Sequence, residues 1–240
     1  RGIKGILKKN GYNYSEIISK WKLLVGKDIS ENSYPKSIKM KYGGSNGTLI
    51  LSVKRGNEIN IEYSKIEIID SQNKDTTIYF RIPSWDKNMN ININGSKIDY
   101  AIVNGYAKIN RSWQKSDVIE LFFDFAPRYV RTNPNVRYNI GRACLFRGPI
   151  LYCLEEHDNG KYLNKLLLDP NNSIDEKNEK INSENIISLT SKGFKFKDTN
   201  NLYLQDKPEM METSLKFIPY YCWSNRGENE MLVWINELKN

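Results

Sequence analysis

The segment from Met89 to Asn94 reads M-N-I-N-I-N and is followed at once by Gly95. Strict alternation of apolar and polar residues is typical of a β-strand with one buried face, and Asn-Gly favours a two-residue hairpin turn. A strand with one apolar face needs a second layer to cover that face. The segment therefore constrains the chain to a layered β structure at this point.

Further strand-like runs surround this segment, at intervals of about 10 to 20 residues. They are short, rich in β-branched and aromatic residues, and bounded by turn residues; they fall at 48–53, 58–69, 77–82, 105–110 and 118–125. This spacing favours an antiparallel sandwich over βαβ units, which would need a helix between strands.

A second set of strands is predicted after residue 141. Runs at 143–146 and 150–155 flank the turn signal Arg147-Gly148-Pro149, and two more follow at 215–223 and 231–235. The polar stretch 158–200 reads as long loops with weak strands at 186–190 and 194–197. We predict an all-β chain of two antiparallel β-sandwich-like domains, 44–138 and 139–240, with a short N-terminal helix.

Residues 1–43 have a different pattern and are interpreted as an N-terminal extension. Asn13 and Glu16 have the spacing of a capping box, and Ile17, Trp21 and Leu24 then fall on one helical face. Gly26 stands where a helix C-cap is expected. The pattern predicts a helix near 14–25 whose apolar face needs a partner.

Composition excludes several classes of protein. The net charge is +8, but Lys and Asn are spread along the 240 residues, so we expect no nucleic-acid partner. Because no apolar run approaches the roughly 18 residues of a membrane helix, no membrane partner is expected either. Three cysteines without C-x-x-C spacing predict buried thiols in a reducing, cytoplasmic compartment. The first residue is Arg, so secretion stays open.

Several motifs in a fixed order resemble one family. They are R-I-P-S-W at 81–85, G-Y-A-K-I-N-R-S-W at 105–113, R-G-P-I-L-Y-C-L-E at 147–155, I-P-Y-Y-C-W-S-N-R-G at 218–227 and M-L-V-W-I at 231–235. The chain from about 44 to 240 is similar to the C-terminal non-catalytic β-sandwich region of glycoside hydrolase family 127, the β-L-arabinofuranosidase family. Residues 1–43 do not match that pattern.

The resemblance implies that the catalytic machinery lies outside this chain. Family members carry a helical barrel with a nucleophilic cysteine, zinc ligands from cysteine and glutamate, and a carboxylate acid/base. None of Cys144, Cys153 and Cys222 maps to those catalytic cysteines, so no catalytic residue and no cofactor is expected in this fragment, with zinc confined to the missing domain. The implied partner is a catalytic helical-barrel domain or partner chain; a homodimer and an arabinose-containing oligosaccharide are further candidates.

Candidate chemistry within the chain is sparse. The densest polar cluster is Glu155-Glu156-His157-Asp158, where adjacent strand residues point to opposite faces, so we expect a solvated strand end. Cys153 lies two residues from Glu155, and a neighbouring carboxylate would raise its thiol pKa, which favours a structural role. His157, the single histidine, excludes a multi-histidine metal site.

Sugar binding would need exposed, flat aromatic rings. Trp85, Trp113 and Trp223 are the candidate carbohydrate-binding residues, and Trp85, just after Pro83 at a strand end, is expected to be the most exposed. The sequence thus supports an accessory domain that braces a catalytic barrel. The alternatives are a stand-alone carbohydrate-binding module and a structural or interaction protein whose docking face is covered by residues 1–43.

Overall fold

The structure, a computed structural model, is built almost entirely from strands. It describes residues 37–44, 47–55, 63–71, 75–182 and 184–238, and in these ranges the α-helical content is one turn, Glu156–Asn159 (α1). The chain divides into two compact units, 1–124 and 125–240. The all-β class is confirmed. The helix predicted near 14–25 lies outside the described residues.

The described residues of the first unit form two antiparallel sheets. One has six strands in the order β1-β2-β3-β9-β5-β6, and the other has three in the order β4-β8-β7. The strands are β1 (Ser37–Gly44), β2 (Gly47–Arg55), β3 (Tyr63–Asp70), β4 (Asp75–Arg81), β5 (Asn90–Ile93), β6 (Ser96–Lys97), β7 (Ala101–Val103), β8 (Tyr106–Ser112) and β9 (Val118–Phe122).

Both sheets supply side chains to one core, as a sandwich requires. Ile68, Ile91 and Ile119 come from the six-stranded sheet, while Phe80 and Ile109 come from the three-stranded one. The alternation read from the sequence is confirmed at β5, where Met89, Ile91 and Ile93 are buried. The predicted hairpin follows: Asn94 and Gly95 have φ of 52° and 78°, and Ile93 pairs with Ser96.

The start of the first sheet lies earlier than the sequence indicates. β1 pairs with β2 along its whole length, from Ser37 opposite Lys54 to Gly44 opposite Gly47. The sequence pattern assigns residues 37–43 to the extension because Gly43-Gly44, with Asn46-Gly47, indicates a turn or a boundary. In the structure the pair ends β1, with Gly44 opposite Gly47 of β2, which agrees with the turn and not with the boundary.

The second unit contains a nine-stranded sheet in the order β10-β11-β18-β13-β15-β16-β12-β17, with β14 paired to β15. Its elements are β10 (Pro127–Val130), β11 (Arg142–Arg147), β12 (Ile150–Glu155), α1, β13 (Leu166–Leu168), β14 (Ile174–Ile181), β15 (Glu184–Phe196), β16 (Met210–Pro219), β17 (Met231–Leu232) and β18 (Ile235–Glu237). Three 3₁₀ turns accompany them, at Arg137–Asn139, Leu163–Lys165 and Tyr220–Cys222.

Strand β11 pairs with three other strands of this unit. β11 pairs with β10, with β18 and, through Phe146 and Arg147, with β12. The hairpin between β11 and β12 turns at Gly148, with φ of 53°, as the Arg-Gly-Pro signal predicts. Tyr152 and Leu154 of β12 join the main core, whereas Cys153 between them enters a smaller cluster with Ile218 and Cys222 on the opposite face.

Two boundaries differ from those read in the sequence. The units divide between Asp124 and Phe125, earlier than 138, because β10 pairs with β11 and so joins the second unit. The stretch 158–200, interpreted as long loops with weak strands at 186–190 and 194–197, contains β13, β14 and β15, and β15 joins the two weak strands into one. The pattern of β14 does not reveal a strand, because its side chains are mostly exposed and show no apolar period.

Among the described residues, no helical segment has the length and apolar character that a membrane span requires.

Candidate functional site

Trp113 is a core residue, so the prediction that it binds sugar is wrong. Its side chain is 0% exposed, and its indole Nε1–H donates a hydrogen bond to the Thr76 carbonyl oxygen at 2.9 Å. The Arg111 guanidinium lies 5.2 Å from the ring centroid. An indole with a satisfied N–H inside the core is a structural group.

Trp85 is partly buried rather than the most exposed of the three. Its ring centroid lies 6.1 Å from that of Phe123, with the two planes inclined at 46°. This geometry is typical of aromatic packing, and it leaves only part of the indole accessible. Trp85 remains a weaker candidate than the sequence suggests.

Trp223 is the candidate whose ring is available to a ligand. It is 41% exposed, and so is Tyr220, whose ring centroid lies 6.2 Å away in a plane inclined by only 22°. Tyr221 between them is 64% exposed. Of the three aromatic residues in four positions of this motif, Trp223 is the one predicted from the sequence.

Local backbone geometry brings Tyr220 and Trp223 together. β16 ends at Pro219, and the next three residues form a 3₁₀ turn closed by a hydrogen bond from the Trp223 N–H to the Tyr220 carbonyl oxygen at 3.1 Å. Residues three apart eclipse one another in a 3₁₀ turn, so the two rings lie on the same side. Cys222 points the other way and is buried. We call residues 220–227 the aromatic loop.

A fully buried carboxylate anchors this loop. Glu155 is 0% exposed; its Oε1 accepts a hydrogen bond from the Ser224 N–H at 2.9 Å, and its Oε2 pairs with the Arg226 guanidinium. The solvated strand end predicted for Glu155 is therefore wrong. β12 carries this residue into the interior of the second unit, where the loop supplies both of its partners.

The anchor extends into a cluster of charges. Arg226 also binds Asp158, at 2.5 Å, and Lys216 bridges Asp158 at 3.2 Å and Glu179 at 2.9 Å. Burial alone would raise the pKa of Asp158, but hydrogen bonds from Arg226 and Lys216 outweigh it and hold that pKa below its usual value. We call Glu155, Asp158, Glu179, Lys216 and Arg226 the ion cluster.

The same surroundings make the nearby thiols inert. Burial, and then the Glu155 carboxylate, raises the pKa of Cys153 to about 12, and burial raises the pKa of Cys222 to about 11. The burial predicted for Cys153 is confirmed. Thiolate is the form that attacks or ligates, so neither sulfur suits a nucleophile or a metal ligand at neutral pH.

The described residues do not fit the zinc site that the resemblance implies for the family. Zinc takes deprotonated cysteine, and the described thiols are buried. Among the residues that the structure describes, no three His, Cys, Asp or Glu side chains are grouped to hold a metal ion.

Two adjoining stretches of the chain match domains of one enzyme family. Residues 46–125 match the β-L-arabinofuranosidase GH127 middle domain, and residues 127–236 match the glycoside hydrolase family 127 C-terminal domain. Residues 3–77 also match DciA, described as the Dna[CI] antecedent, and this match overlaps the start of the middle domain.

Known proteins of the same family share this region. A non-reducing end β-L-arabinofuranosidase of Bifidobacterium longum is 28% identical over 171 residues, which are 67% of this chain and 26% of that protein. The crystal structure of a GH127 β-L-arabinofuranosidase from Geobacillus stearothermophilus T6 superposes with a TM-score of 0.78 at 30% identity. That alignment covers 84% of this chain and 32% of the other.

Another GH127 β-arabinofuranosidase superposes with a TM-score of 0.71 at 28% identity, over 84% of this chain and 34% of the other. The chain thus spans about a quarter to a third of the length of these relatives. It belongs to glycoside hydrolase family 127, of which it carries the middle and C-terminal β domains.

Proposed function

We propose that this chain is the accessory β region of a β-L-arabinofuranosidase-like glycosidase and that it braces a catalytic helical barrel. One observation carries the proposal: the chain matches two adjoining domains of the family, yet it spans only about a third of the length of the solved relatives. Most of each relative lies outside the matched region. In this proposal the reacting groups, and any zinc, belong to that remainder.

The loop between β10 and β11 supports the proposal, because it offers an apolar docking surface. Val136, Tyr138 and Ile140 lie at alternate positions around a 3₁₀ turn, and all three are exposed, Tyr138 by 91%. Grouped apolar side chains on a surface mark a contact site more often than isolated ones do. We assign this docking surface to the barrel; a second copy of the chain is the competing occupant.

A chimera tests the proposal directly. Residues 46–236 would replace the aligned region of the Geobacillus stearothermophilus enzyme, and hydrolysis of 4-nitrophenyl β-L-arabinofuranoside would be measured. We expect the chimera to be active, the 240-residue chain alone to be inactive, and a chimera with Tyr138→Asp and Ile140→Asp to lose stability. Hydrolysis by the chain alone, abolished by changing one of its own side chains, would overturn the accessory role.

Light scattering of the isolated chain separates the two occupants of the docking surface. A monomer, with an active chimera, supports the barrel. A dimer that Tyr138→Asp dissociates would assign the surface to a second copy instead, and would count against bracing by this loop.

A further inference from the structure

We propose that the aromatic loop is a binding site for a neutral sugar, which stacks on the faces of Tyr220 and Trp223. The site lies wholly within the second unit and does not rest on the proposed accessory role. Nothing in the accessory role requires a ligand here, and the loop contains no residue of the docking surface.

The geometry of the two rings suits a flat ligand. A centroid separation of 6.2 Å and an inclination of 22° describe offset, nearly parallel rings. Offset leaves part of each face uncovered, which agrees with the exposure of both side chains. The C–H face of a sugar ring is apolar and of similar size to one such ring, so it can pack on this surface while its hydroxyl groups stay in water.

The loop is held in place before any ligand arrives. Glu155 fixes the Ser224 N–H and the Arg226 guanidinium, and the Asn182 side-chain amide donates to the Asn225 carbonyl oxygen at 2.8 Å. A preorganised aromatic surface loses little conformational entropy on binding, which favours affinity for small ligands. A cluster of three aromatic residues that merely filled space would be expected to turn inward, as Cys222 does.

Charge selects the kind of sugar. Arg226 is already engaged by Glu155 and Asp158, and Lys216 by Asp158 and Glu179, so the ion cluster has its own internal partners. The side chains that follow Trp223 along the loop are the exposed, neutral Ser224 and Asn225, which can donate to and accept from hydroxyl groups. The exposed Glu184 carboxylate acts on Tyr221 and Cys222 of the same loop and would repel an anionic ligand. This arrangement favours neutral sugars over uronic acids or sugar phosphates.

Calorimetric and tryptophan-fluorescence titrations of the full chain test the site, with methyl β-L-arabinofuranoside and arabinotriose as neutral probes and galacturonate as the anionic one. We expect millimolar affinity for at least one neutral probe and no binding of galacturonate. Trp223→Ala and Tyr220→Ala should each weaken binding by about tenfold, the equivalent of about 1.4 kcal/mol. Tyr203→Ala, a tyrosine exposed elsewhere in the same unit, is the matched control and should bind as the parent does.

Three results would overturn the site: no binding of either neutral probe in the millimolar range, binding that both loop variants retain, or a preference for galacturonate. Circular dichroism of each variant confirms folding, which both exposed positions should tolerate. The chimera assay measures hydrolysis and the titrations measure binding by the chain alone, so failure of either proposal is seen without the other.

Discussion

The two units of this chain bury carboxylates in different ways. In the first unit, Asp86 accepts hydrogen bonds from the N–H groups of Asn88 and Asp124, and Asp117 accepts from the Gln114 N–H and the Asn94 side-chain amide. In the second unit, Glu155 pairs with a guanidinium 71 residues away. Asp117 also has the partly exposed Arg111 guanidinium at 3.6 Å, but its hydrogen bonds come from neutral donors. A buried Glu155 without Arg226, by contrast, would be an isolated charge.

The difference indicates which substitutions should destabilise each unit. Each Asp of the first unit fixes a turn, so its loss should be felt locally. Glu155 fixes the position of the aromatic loop relative to β12, so its loss should affect the packing of the second unit as a whole. Hydrogen exchange can separate the two, since it reports protection strand by strand.

The largest effect is expected from Arg226→Met. It leaves Glu155 buried without its countercharge, and breaking one side of a buried ion pair typically costs about 3–5 kcal/mol. Hydrogen exchange measured at increasing urea concentration should show lost protection in β12 and β16, while the protection of the first unit is unchanged.

A double variant sharpens this prediction. Glu155→Leu combined with Arg226→Met removes both charges and should cost less than Arg226→Met alone, because the desolvated charge has gone. If the double variant is as unstable as the single one, the loop is held by packing and not by the pair. If Arg226→Met does not fold at all, a double variant that folds still supports the prediction.

A smaller effect is expected from Asp117→Ala in the first unit. The change leaves the Gln114 N–H and the Asn94 amide without their acceptor, which should lower the free energy of unfolding by about 1–3 kcal/mol. Asp75→Ala is the matched control, since Asp75 is exposed at a strand end and should cost far less. Equal losses would show that burial of Asp117 is unimportant.

Acid should weaken both units. Burial alone would raise the pKa of Asp117, but hydrogen bonds from Gln114 and Asn94 hold it below its usual value, and the pKa of Asp158 is lowered in the same way. A carboxyl with a lower pKa in the folded state stabilises above its unfolded pKa, 3.8 for Asp, and this contribution is lost as pH falls through the folded pKa. Urea midpoints should therefore fall as the pH is lowered through and below 3.8, and less steeply for the second unit in Asp158→Asn.

The smallest effect is expected where an ion pair is exposed. Lys197 and Glu209 pair at 2.8 Å at the base of the loop between β15 and β16, with both side chains largely in solvent. Lys197→Ala should leave the free energy of unfolding nearly unchanged, because an exposed ion pair is screened by solvent and contributes little. A loss of stability as large as that of Arg226→Met would show that burial does not explain the difference between the two ion pairs.

The sequence predicts what depends on short-range pattern. β5 and its Asn94-Gly95 turn follow from alternation and turn chemistry, and the order of motifs identifies the family. β15 reads as two weak strands because Gly193 interrupts it. The structure gives the reason for that glycine: a Cβ there would lie 2.6 Å from the Leu167 carbonyl oxygen and from Leu215 Cδ1.

The features that the sequence does not predict depend on contacts between residues that are distant in the chain. Nothing adjacent to Trp113 or Glu155 indicates burial, because the partners of their polar groups, Thr76 and Arg226, are distant in the chain. Tyr220 and Tyr221 are not predicted as ligand contacts, because aromatic residues that follow a strand resemble a continuation of that strand. Only the 3₁₀ turn that follows β16 turns those rings outward.

The exposed strand β14 has a consequence for how copies of this chain can meet. In the described residues it pairs with β15 alone, so its other edge offers backbone donors and acceptors to any passing strand. Five of its eight residues are charged, with both signs present. A charged edge strand disfavours pairing with a strand of another molecule. Assembly of this protein should therefore proceed through side-chain surfaces and not by extending a sheet from one molecule to the next.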